Sequence, residues 1–440
     1  MTSVSRFPDW TSLSGPDDRL VASKQCQRRL VELGHSLDAV EQVYAVDAPH
    51  EGPLGGLPYI AKDMFATGLS APSWGCAAPQ ASSLPRASII DRLERAGASL
   101  LGTAVMTELA YEPSGVSRRR PKNPWHYDMI PGGSSSGSAI LVASGCCFAA
   151  LGSDTGGSVR IPAHCCGVTA LKPGYGRIPL DGAMSLAPSL DTIGIFARSA
   201  IDLAWIWPSF SGEAPQRPAH FQSGVLLEDA FEACDAGIAT IIRGAIDVLA
   251  ASGVTITPRS GFPEQADAHA LTVLQAEAAR EHAPRLDDPN IDATLRKRFR
   301  KGLAISDSER ALALGERQTL CSQFLSQVFD QADVVLLPVM PIRTPRVDDV
   351  DPASAHFNPR TLYALSRFTR FVNYLGLPAL AVPAGFDGRG MPVGLQIIGR
   401  PGSETGLLEL GVRLQERTDW HGRVPAAIAS TVAGEARPLK

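Results

Sequence analysis

Two Gly/Ser-rich segments and one lysine are the residues of this chain best suited to covalent chemistry. The first segment covers residues 132–138 and the second covers residues 152–158, while Lys62 lies upstream in an apolar run. A serine hydroxyl can attack a carbonyl carbon, a second serine can pass on its proton, and a neutral lysine can accept it. The sequence therefore offers a nucleophile, a relay and a base.

A lysine can act as a base only where its surroundings make it neutral. At an ordinary pKa of ~10.4, the neutral form costs about 4 to 5 kcal/mol at pH 7. Lys62 follows the apolar residues 57–61 and precedes Asp63, Met64 and Phe65, which predicts a position below the surface. Burial would lower its pKa. The alternative is a lysine at a strand end that reaches water or pairs with Asp63.

The first Gly/Ser-rich segment has only small side chains, so its backbone can approach another group closely. A nucleotide-binding P-loop is disfavoured because no lysine follows Gly137. A flexible linker remains an alternative. However, the apolar, helix-like stretch that begins at Ala139 indicates that the segment caps a buried helix.

The second segment places Gly156 and Gly157 directly before Ser158. Consecutive glycines let several backbone N–H groups converge on one point, as an oxyanion hole requires. The composition of residues 159–161 is typical of a strand. Ser158 does not lie in a G-x-S-x-G elbow, which disfavours an α/β-hydrolase. We interpret the nearby His164 as an ordinary helix or turn residue rather than as a partner of Ser158.

On these residues the chain resembles the amidase signature family, the Ser-cisSer-Lys amidohydrolases. Collinear matches spread from about residue 50 to residue 400. The matching segments are Lys62-Asp63 and residues 133–138, 152–163, 166–168, 171–173, 189–194 and 392–396. Two residues differ from the usual family pattern, Met64 and Cys165, and neither belongs to the catalytic set.

The resemblance implies a role for each candidate residue. Ser158 falls on the family's nucleophile, Ser134 on its relay serine after a cis peptide bond from Gly133, and Lys62 on its base. The implied oxyanion hole is built from the backbone amides of Thr155, Gly156, Gly157 and Ser158. Ser135 and Asp154 are expected to orient the loops. Arg160 is expected to hold a loop together, or alternatively to face an acidic group of the substrate.

The implied activity is hydrolysis of a small carboxamide to a carboxylate and ammonia or an amine, through a seryl acyl-enzyme and without a metal or organic cofactor. One alternative is the amidase component of a tRNA-dependent amidotransferase, which passes ammonia to a partner chain. Another is a non-catalytic binding protein with the same fold. Residues 125–130, residues 181–185 and the later helical region are expected to recognise the acyl side of the substrate.

The elements that must position these residues alternate between helix and strand. Together with the resemblance, this pattern predicts an α/β fold with a single large mixed β-sheet covered by helices on both faces. We expect one domain over residues 1–440, with a signature core at about 50–200 and a more variable helical region at about 205–330. Periodicity and turn signals predict helices over 17–34, 89–96, 238–251 and 295–329, and strands over 42–46, 99–102, 254–256, 333–338, 379–383 and 392–398.

Composition narrows the range of partners. The chain has 440 residues, 44% hydrophobic and 20% charged, with a formal net charge of −4, which gives no electrostatic case for nucleic acid or an anionic membrane. No apolar stretch of signal-peptide form begins the chain, so we expect a cytoplasmic enzyme. A homodimer is compatible with the family.

Two further groups of residues have structural interpretations. The basic cluster of Arg296, Lys297, Arg298, Arg300 and Lys301 is interpreted as a solvated helix face. The adjacent pairs Cys146-Cys147 and Cys165-Cys166 are interpreted as small buried hydrophobes, with a reactive thiol as the alternative.

Overall fold

The computed structural model describes residues 8–13, 15–45, 51–80, 83–426 and 428–429. Its strands are β1 (Val40–Val43), β2 (Pro58–Lys62), β3 (Ser99–Ala104), β4 (Ala149–Asp154), β5 (Thr169–Lys172), β6 (Thr192–Ala197), β7 (Ser223–Leu227), β8 (Thr255–Arg259), β9 (Val334–Pro338), β10 (Ala379–Phe386) and β11 (Pro392–Gly399).

The α-helices alternate with these strands along the chain. They are α1 (Pro16–Arg29), α2 (Ser88–Arg95), α3 (Ser136–Ala143), α4 (Arg160–Cys166), α5 (Ala200–Ser211), α6 (Glu228–Glu232), α7 (Ala236–Ala251), α8 (Glu264–Glu281), α9 (Ala293–Leu303), α10 (Asp307–Gly315), α11 (Arg317–Phe324), α12 (Val347–Val350), α13 (Pro359–Leu365), α14 (Arg370–Tyr374) and α15 (Glu404–Gln415). Single 3-10 turns lie at Trp10–Ser12, Glu108–Ala110, Ala283–Arg285 and Trp420–Gly422, and π-helical turns extend α1 and α11 at Leu30–Gly34 and Leu325–Phe329.

All eleven of these strands belong to one sheet, in the order β1-β3-β2-β4-β6-β5-β10-β11-β9-β7-β8. The pairs β3/β2, β2/β4, β9/β7 and β7/β8 are parallel, whereas the other neighbours are antiparallel. Neighbouring strands of this mixed sheet can therefore come from distant parts of the chain, as in the pairing of β5 with β10.

Helices cover both faces of this sheet. Every residue of β2, β3, β4, β5, β6, β9 and β11 is buried, although successive side chains of a strand point to opposite faces. Exposed positions occur in the edge strands β1 and β8. The predicted fold class, a single mixed sheet with helices on both faces, is confirmed. Among the residues described, no helix combines the length and the apolar character that crossing a bilayer would require.

Most predicted elements are confirmed with small changes in their ends. The predicted helix over 17–34 corresponds to α1 with its π-helical turn. The predicted strand over 42–46 is β1, two residues earlier, and residue 46 lies outside the described residues. The predicted helical stretch over 295–329 consists of α9, α10, α11 and a π-helical turn. The predicted capping box begins α10, where Ser306 Oγ accepts from the Glu309 amide at 3.2 Å and Glu309 accepts from the Ser306 amide at 2.7 Å.

One local prediction was wrong. Residues 159–161 were expected to be a strand, but Arg160 begins helix α4. The carboxylate of Asp154 accepts hydrogen bonds from the amides of Val159 at 3.1 Å and Arg160 at 3.4 Å. Because the first amides of a helix lack intrahelical partners, this distant acceptor stabilises a helix start that local composition does not signal.

The sheet brings candidate residues together at the carboxyl ends of the neighbouring strands β2 and β4. β2 lies between β3 and β4 and is parallel to both, so Lys62 at the end of β2 lies near the end of β4 at Asp154. The segment that contains Ser134 leads directly into α3. The helix predicted after Ala139 is therefore present.

Candidate active site

Lys62 is fully buried at the end of β2, with its amine between two hydroxyls. Lys62 Nζ lies 2.7 Å from Ser134 Oγ and 2.8 Å from Ser153 Oγ. Burial lowers the pKa of Lys62 to about 7, although the negative charges of Asp154 and Asp191 act in the opposite direction. The expectation of a buried lysine with a lowered pKa is confirmed. The alternative of pairing with Asp63 is not observed, because that carboxylate accepts from the amide and hydroxyl of Ser73 at 2.7 and 2.6 Å.

Ser134 is buried in a loop whose main chain is hydrogen-bonded to two other parts of the chain. The peptide bond between Gly133 and Ser134 is cis, as expected. The Gly133 amide donates to the carbonyl of Pro113 at 2.7 Å, and the Ser134 carbonyl accepts from the Thr107 amide at 3.1 Å. These main-chain bonds fix the position at which Ser134 Oγ meets Lys62.

Ser153 is a site residue that the sequence did not single out. It lies within β4, one residue before Asp154, and its hydroxyl is the second neighbour of the Lys62 amine. The parallel pairing of β2 with β4 sets this contact. The sequence shows Ser153 inside the second Gly/Ser-rich segment, but only the sheet register shows that it faces Lys62.

Ser135 joins the two Gly/Ser-rich segments. Its hydroxyl lies 3.3 Å from both the amide nitrogen and the carbonyl oxygen of Ser153, and its amide donates to the carbonyl of Ser158 at 3.3 Å. This agrees with the expected role of Ser135 in orienting the loops. Among the described residues, no hydrogen bond joins the hydroxyls of Ser134 and Ser158.

Asp154 and Arg160 form a buried ion pair behind the second segment. Two guanidinium nitrogens of Arg160, Nε and Nη2, lie 3.0 and 2.8 Å from the two carboxylate oxygens of Asp154. Arg160 also donates to Gln396 at 2.6 Å and to Asn373 at 2.5 Å. Burial alone would raise the pKa of Asp154, but the adjacent guanidinium of Arg160 holds it well below its usual range. Arg160 is fully buried, so it holds the loop together and does not face a substrate.

The implied oxyanion hole has fewer available amide donors than expected. The Gly157 amide donates to Asp154 Oδ1 at 2.8 Å, so it is already occupied, which corrects its assignment. Gly157 has a φ of +129° and an added Cβ would lie 2.3 Å from Thr369 Oγ1, so this position requires glycine. Thr369 in turn donates to the Gly156 carbonyl at 2.7 Å. Donation to the oxyanion by the amides of Thr155, Gly156 and Ser158 stays a prediction.

Ser158 opens onto a cavity of about 430 Å³. This residue is 9% exposed, whereas Lys62 and Ser134 are fully buried. The cavity walls come from five parts of the chain: residues 110–113, residues 155–161, Leu186, helices α8 and α9, and residues 352–370. The lining residues are Ala110, Tyr111, Glu112, Pro113, Thr155, Gly156, Ser158, Ile161, Leu186, Leu271, Leu274, Gln275, Thr294, Lys297, Arg298, Lys301, Pro352, Phe357, Pro359, Leu362, Tyr363, Ser366 and Arg370.

This lining corrects the expected recognition segments. The later helical region contributes, as expected, through α8 and α9. None of the described lining residues comes from 125–130 or 181–185. Trp125 instead donates to the carbonyl of Cys166 at 2.8 Å and packs against Phe386. Ser185 donates to Asp191 at 3.0 Å, and Asp191 also accepts from Thr155 of the second segment at 2.7 Å.

The basic cluster of α9 also differs from its interpretation. Lys297 and Lys301 are exposed, as a solvated face predicts, but together with Arg298 they line the cavity that contains Ser158. Arg296 and Arg300 do not line it. The solvated-face interpretation was therefore incomplete.

The histidine and cysteines near the site behave as structural residues. His164 lies in α4 and Nδ1 accepts from the Gly394 amide at 3.0 Å, while burial lowers its pKa to about 4. Burial raises the pKa of Cys165 to about 12 and those of Cys147 and Cys166 well above the usual value, which supports the interpretation as buried hydrophobes. Within the described ranges, no group of three or more His, Cys, Asp or Glu residues is arranged to hold a metal ion.

Comparison with known families agrees with this geometry. The sequence profile of the family described as Amidase matches residues 35–408. The chain belongs to the amidase family. The resemblance drawn from the sequence is thereby confirmed, and family membership supports an amide-hydrolysing enzyme.

Curated relatives and solved structures cover most of the chain. It is 34% identical over 425 residues to a glutamyl-tRNA(Gln) amidotransferase component of Halorhodospira halophila, covering 86% of this chain and 87% of the relative. It is 32% identical over 388 residues to 2-amino-5-chloromuconic acid deaminase of Comamonas testosteroni, covering 83% and 82%. A solved structure described as a crystal structure of amidase is 30% identical with a TM-score of 0.81, covering 92% of this chain and 97% of the other.

Proposed function

We propose that this amidase-family protein hydrolyses the C–N bond of a small linear carboxamide, giving a carboxylate and ammonia or an amine. The observation that carries the proposal is the 2.7 Å contact between the buried amine of Lys62 and Ser134 Oγ. Ser158 lines the cavity, and its carbonyl accepts from the amide of Ser135, the residue after Ser134, at 3.3 Å. A neutral amine in contact with a hydroxyl is the arrangement that a serine-based acyl transfer needs.

In the acylation step, neutral Lys62 accepts the proton of Ser134, and Ser134 accepts the proton of Ser158. Ser158 Oγ then attacks the carbonyl carbon of the amide. This proposal requires Ser134 and Ser158 to form a hydrogen bond when substrate is bound, since such contacts often tighten only in the substrate complex. The amides of Thr155, Gly156 and Ser158 would stabilise the oxyanion.

Collapse of the tetrahedral intermediate breaks the C–N bond, and Ser134 returns a proton to the leaving nitrogen. Water then attacks the acyl-enzyme while its proton passes through Ser134 to Lys62. Collapse of the second tetrahedral intermediate breaks the bond to Ser158 Oγ and releases the carboxylate, and the proton returns through Ser134 to Ser158. Each step is a proton or acyl transfer among protein groups, substrate and water. The proposal therefore requires no cofactor.

The test is ammonia release from a panel of small monoamides, diamides, ureido compounds and aryl amides. We expect turnover by the wild type on at least one of them, and a fall of at least about 1,000-fold in Ser158→Ala and in Lys62→Met. Matched melting curves check that the variants are folded. Wild-type rates in either folded variant would contradict the proposal.

A second candidate is the amidase component of a tRNA-dependent amidotransferase, and the similarity to the amidotransferase component of Halorhodospira halophila favours it. The two functions differ in whether hydrolysis requires a partner chain. Glutaminase activity that appears only when co-purified partner chains are present would support the second candidate. Turnover of small amides by the isolated chain would support the first candidate.

We retain a cytoplasmic location and a homodimer as predictions, to be checked by fractionation and by light scattering.

A further inference from the structure

The lining of the cavity carries more positive than negative charge. Among the described lining residues the cations are Lys297, Arg298, Lys301 and Arg370, and the acidic side chain is Glu112. The formal net charge of the whole chain is −4, so this local excess does not reflect overall composition.

One of these cations is already neutralised. Arg370 Nε lies 2.7 Å from Asp267 Oδ1, and Arg370 Nη2 donates to Asp267 Oδ2 at 2.7 Å. By contrast, Lys297, Arg298 and Lys301 form no ion pair with any residue that the structure describes. Three cations therefore line the cavity without an ion-pair partner in the described part of the protein.

The acidic side chain of the described lining, Glu112, forms no ion pair with these cations. Glu112 Oε2 accepts from the amide of Ser114 at 2.9 Å and from the hydroxyl of the same residue. Burial raises the pKa of Glu112, although Arg298 acts in the opposite direction. Among the described residues Glu112 and Arg298 form no ion pair, so the guanidinium remains available to another anion.

Helix α9 presents these cations as one face. Thr294, Arg298 and Lys301 are spaced by four and three residues, which places them on the same side of a helix, and Lys297 lies beside them. An adjoining face of α9, with Leu295, Phe299 and Gly302 buried, packs on α8, where an added Cβ on Gly302 would lie 2.3 Å from the carbonyl oxygen of Gln275. This close approach holds α9, and with it the row of cations, against the cavity.

Apolar side chains lie in the same cavity as Ser158 and the cations. Ile161, Leu186, Leu271, Leu274 and Leu362 contribute to the lining. A ligand that suits this combination of surfaces has an amide, an apolar spacer and an anion. Guanidinium is well matched to carboxylate because it donates two parallel hydrogen bonds.

We propose that the substrate of this enzyme is an amide that carries a carboxylate remote from the bond that is cleaved, and that Arg298, with Lys297 and Lys301, binds that carboxylate. This inference rests on the proposed function and deepens it by naming the substrate class. Arg298 is a specificity-determining residue, whereas Lys62, Ser134 and Ser158 carry the chemistry.

The test compares amides that differ only in the remote charge. The probes are succinamic, glutaramic and adipamic acids against butanamide, pentanamide and hexanamide. We expect kcat/KM to be higher for the acid of at least one chain length than for its neutral counterpart. In Arg298→Gln the ratio of acid to neutral amide should fall by about 10- to 100-fold, and Arg298→Lys should restore part of it. The control is Arg300→Gln, because Arg300 lies outside the cavity and pairs with Asp287 at 3.6 Å.

A binding experiment separates failure of this inference from failure of the proposed function. Calorimetry on Ser158→Ala measures affinity for each probe without turnover, and the same acid should bind more tightly than its neutral partner and lose that advantage in Ser158→Ala/Arg298→Gln. Lack of turnover by the wild type with this binding preference intact would overturn only the hydrolase. Equal affinities for all charged and neutral pairs, or a preference unchanged by the Arg298 substitution, would overturn the carboxylate site.

Discussion

The amine of Lys62 lies 2.7 Å from the hydroxyl oxygen of Ser134, although 72 residues separate them in the chain. The contact exists because β2 ends at Lys62 beside β4, and because the loop before α3 brings Ser134 over that end. Burial makes the same amine a base near neutral pH. Sheet topology places the amine beside the hydroxyl, and burial lowers the pKa of the amine. Together they make Lys62 able to accept a proton from Ser134.

The activity should rise with pH through the titration of Lys62. Its pKa is lowered to about 7, and only the neutral amine accepts a proton, so kcat/KM should increase tenfold per pH unit below about 7 and level off above it. A pH–rate profile on a non-titrating amide measures this. Lys172 is the control, because burial also lowers its pKa to about 7. If the rising limb disappeared in folded Lys172→Met, the titration would belong to Lys172 and not to Lys62.

The same lysine should leave a signature in stability. Between about pH 7 and its ordinary value of 10.5, Lys62 is neutral in the folded protein and protonated in the unfolded chain. The unfolded state then binds more protons, so the free energy of unfolding contributed by Lys62 rises with pH across this window. Denaturant melts at several pH values should show a smaller rise in Lys62→Met than in the wild type. An equal rise in both proteins would contradict a lowered pKa.

Ser153 should position the base. Its hydroxyl lies 2.8 Å from Lys62 Nζ and accepts a hydrogen bond that favours the ammonium form. Ser153→Ala should therefore shift the rising limb to lower pH and, because the amine is held less firmly, reduce kcat by about 10-fold. Ser138→Ala is a matched control, since Ser138 donates to the Leu151 carbonyl at 2.9 Å away from the amine. If the rising limb of the pH–rate profile lay at the same pH in folded Ser153→Ala as in the wild type, Ser153 would have no effect on the pKa of Lys62.

The Asp154–Arg160 pair should matter for stability more than for chemistry. Removing one partner leaves a buried charge uncompensated, so Arg160→Met and Asp154→Leu should each lower the free energy of unfolding by about 3 to 5 kcal/mol. The double variant Asp154→Leu/Arg160→Met should lose less than the sum of the two single losses. Urea melts provide the comparison. Strict additivity would show that the ion pair does not couple the two residues.

Acid should weaken this part of the fold. Arg160 holds the pKa of Asp154 well below its usual value, so the pair stabilises the folded state above the ordinary aspartate pKa. That stabilisation is lost as the pH falls below this value, because the unfolded chain takes up the proton first. The acid limb of a pH–stability curve should accordingly be shallower in the double variant.

Much of the fold was accessible from the sequence, because hydrophobic periodicity and turn signals depend on local residues. The strands β9, β10 and β11 appeared as buried apolar runs close to their observed ends. The strand predicted at residues 159–161 failed because the helix start there depends on Asp154, several residues back across a turn. Local composition cannot report such an acceptor.

The candidate site shows the same division. Lys62, Ser134 and Ser158 could be named from their motifs, whereas the contact of Ser153 with Lys62 depends on the register between β2 and β4. The cavity role of Arg298 depends on how α9 packs against α8. Charge runs in a sequence do not show which side of a helix faces a nucleophile.

Gly157 should not tolerate a side chain. Its φ of +129° and the 2.3 Å approach of an added Cβ to Thr369 Oγ1 would force the loop before Ser158 to shift. Gly157→Ala should lower kcat by at least about 100-fold, since small displacements of a nucleophile are costly. Gly244→Ala is the control, because an added Cβ there meets nothing within 4 Å and its activity should be unchanged. Full activity in Gly157→Ala would show that the loop geometry is not required.

Covalent labelling with a fluorophosphonate, followed by intact mass and peptide mapping, shows whether Lys62 and Ser134 activate Ser158. We predict one adduct, on Ser158, that is absent from Ser158→Ala and forms far more slowly in Lys62→Met at pH 8. A single adduct on another residue, or undiminished labelling of folded Ser158→Ala, would contradict the assignment of Ser158 as a nucleophile activated through Ser134 and Lys62.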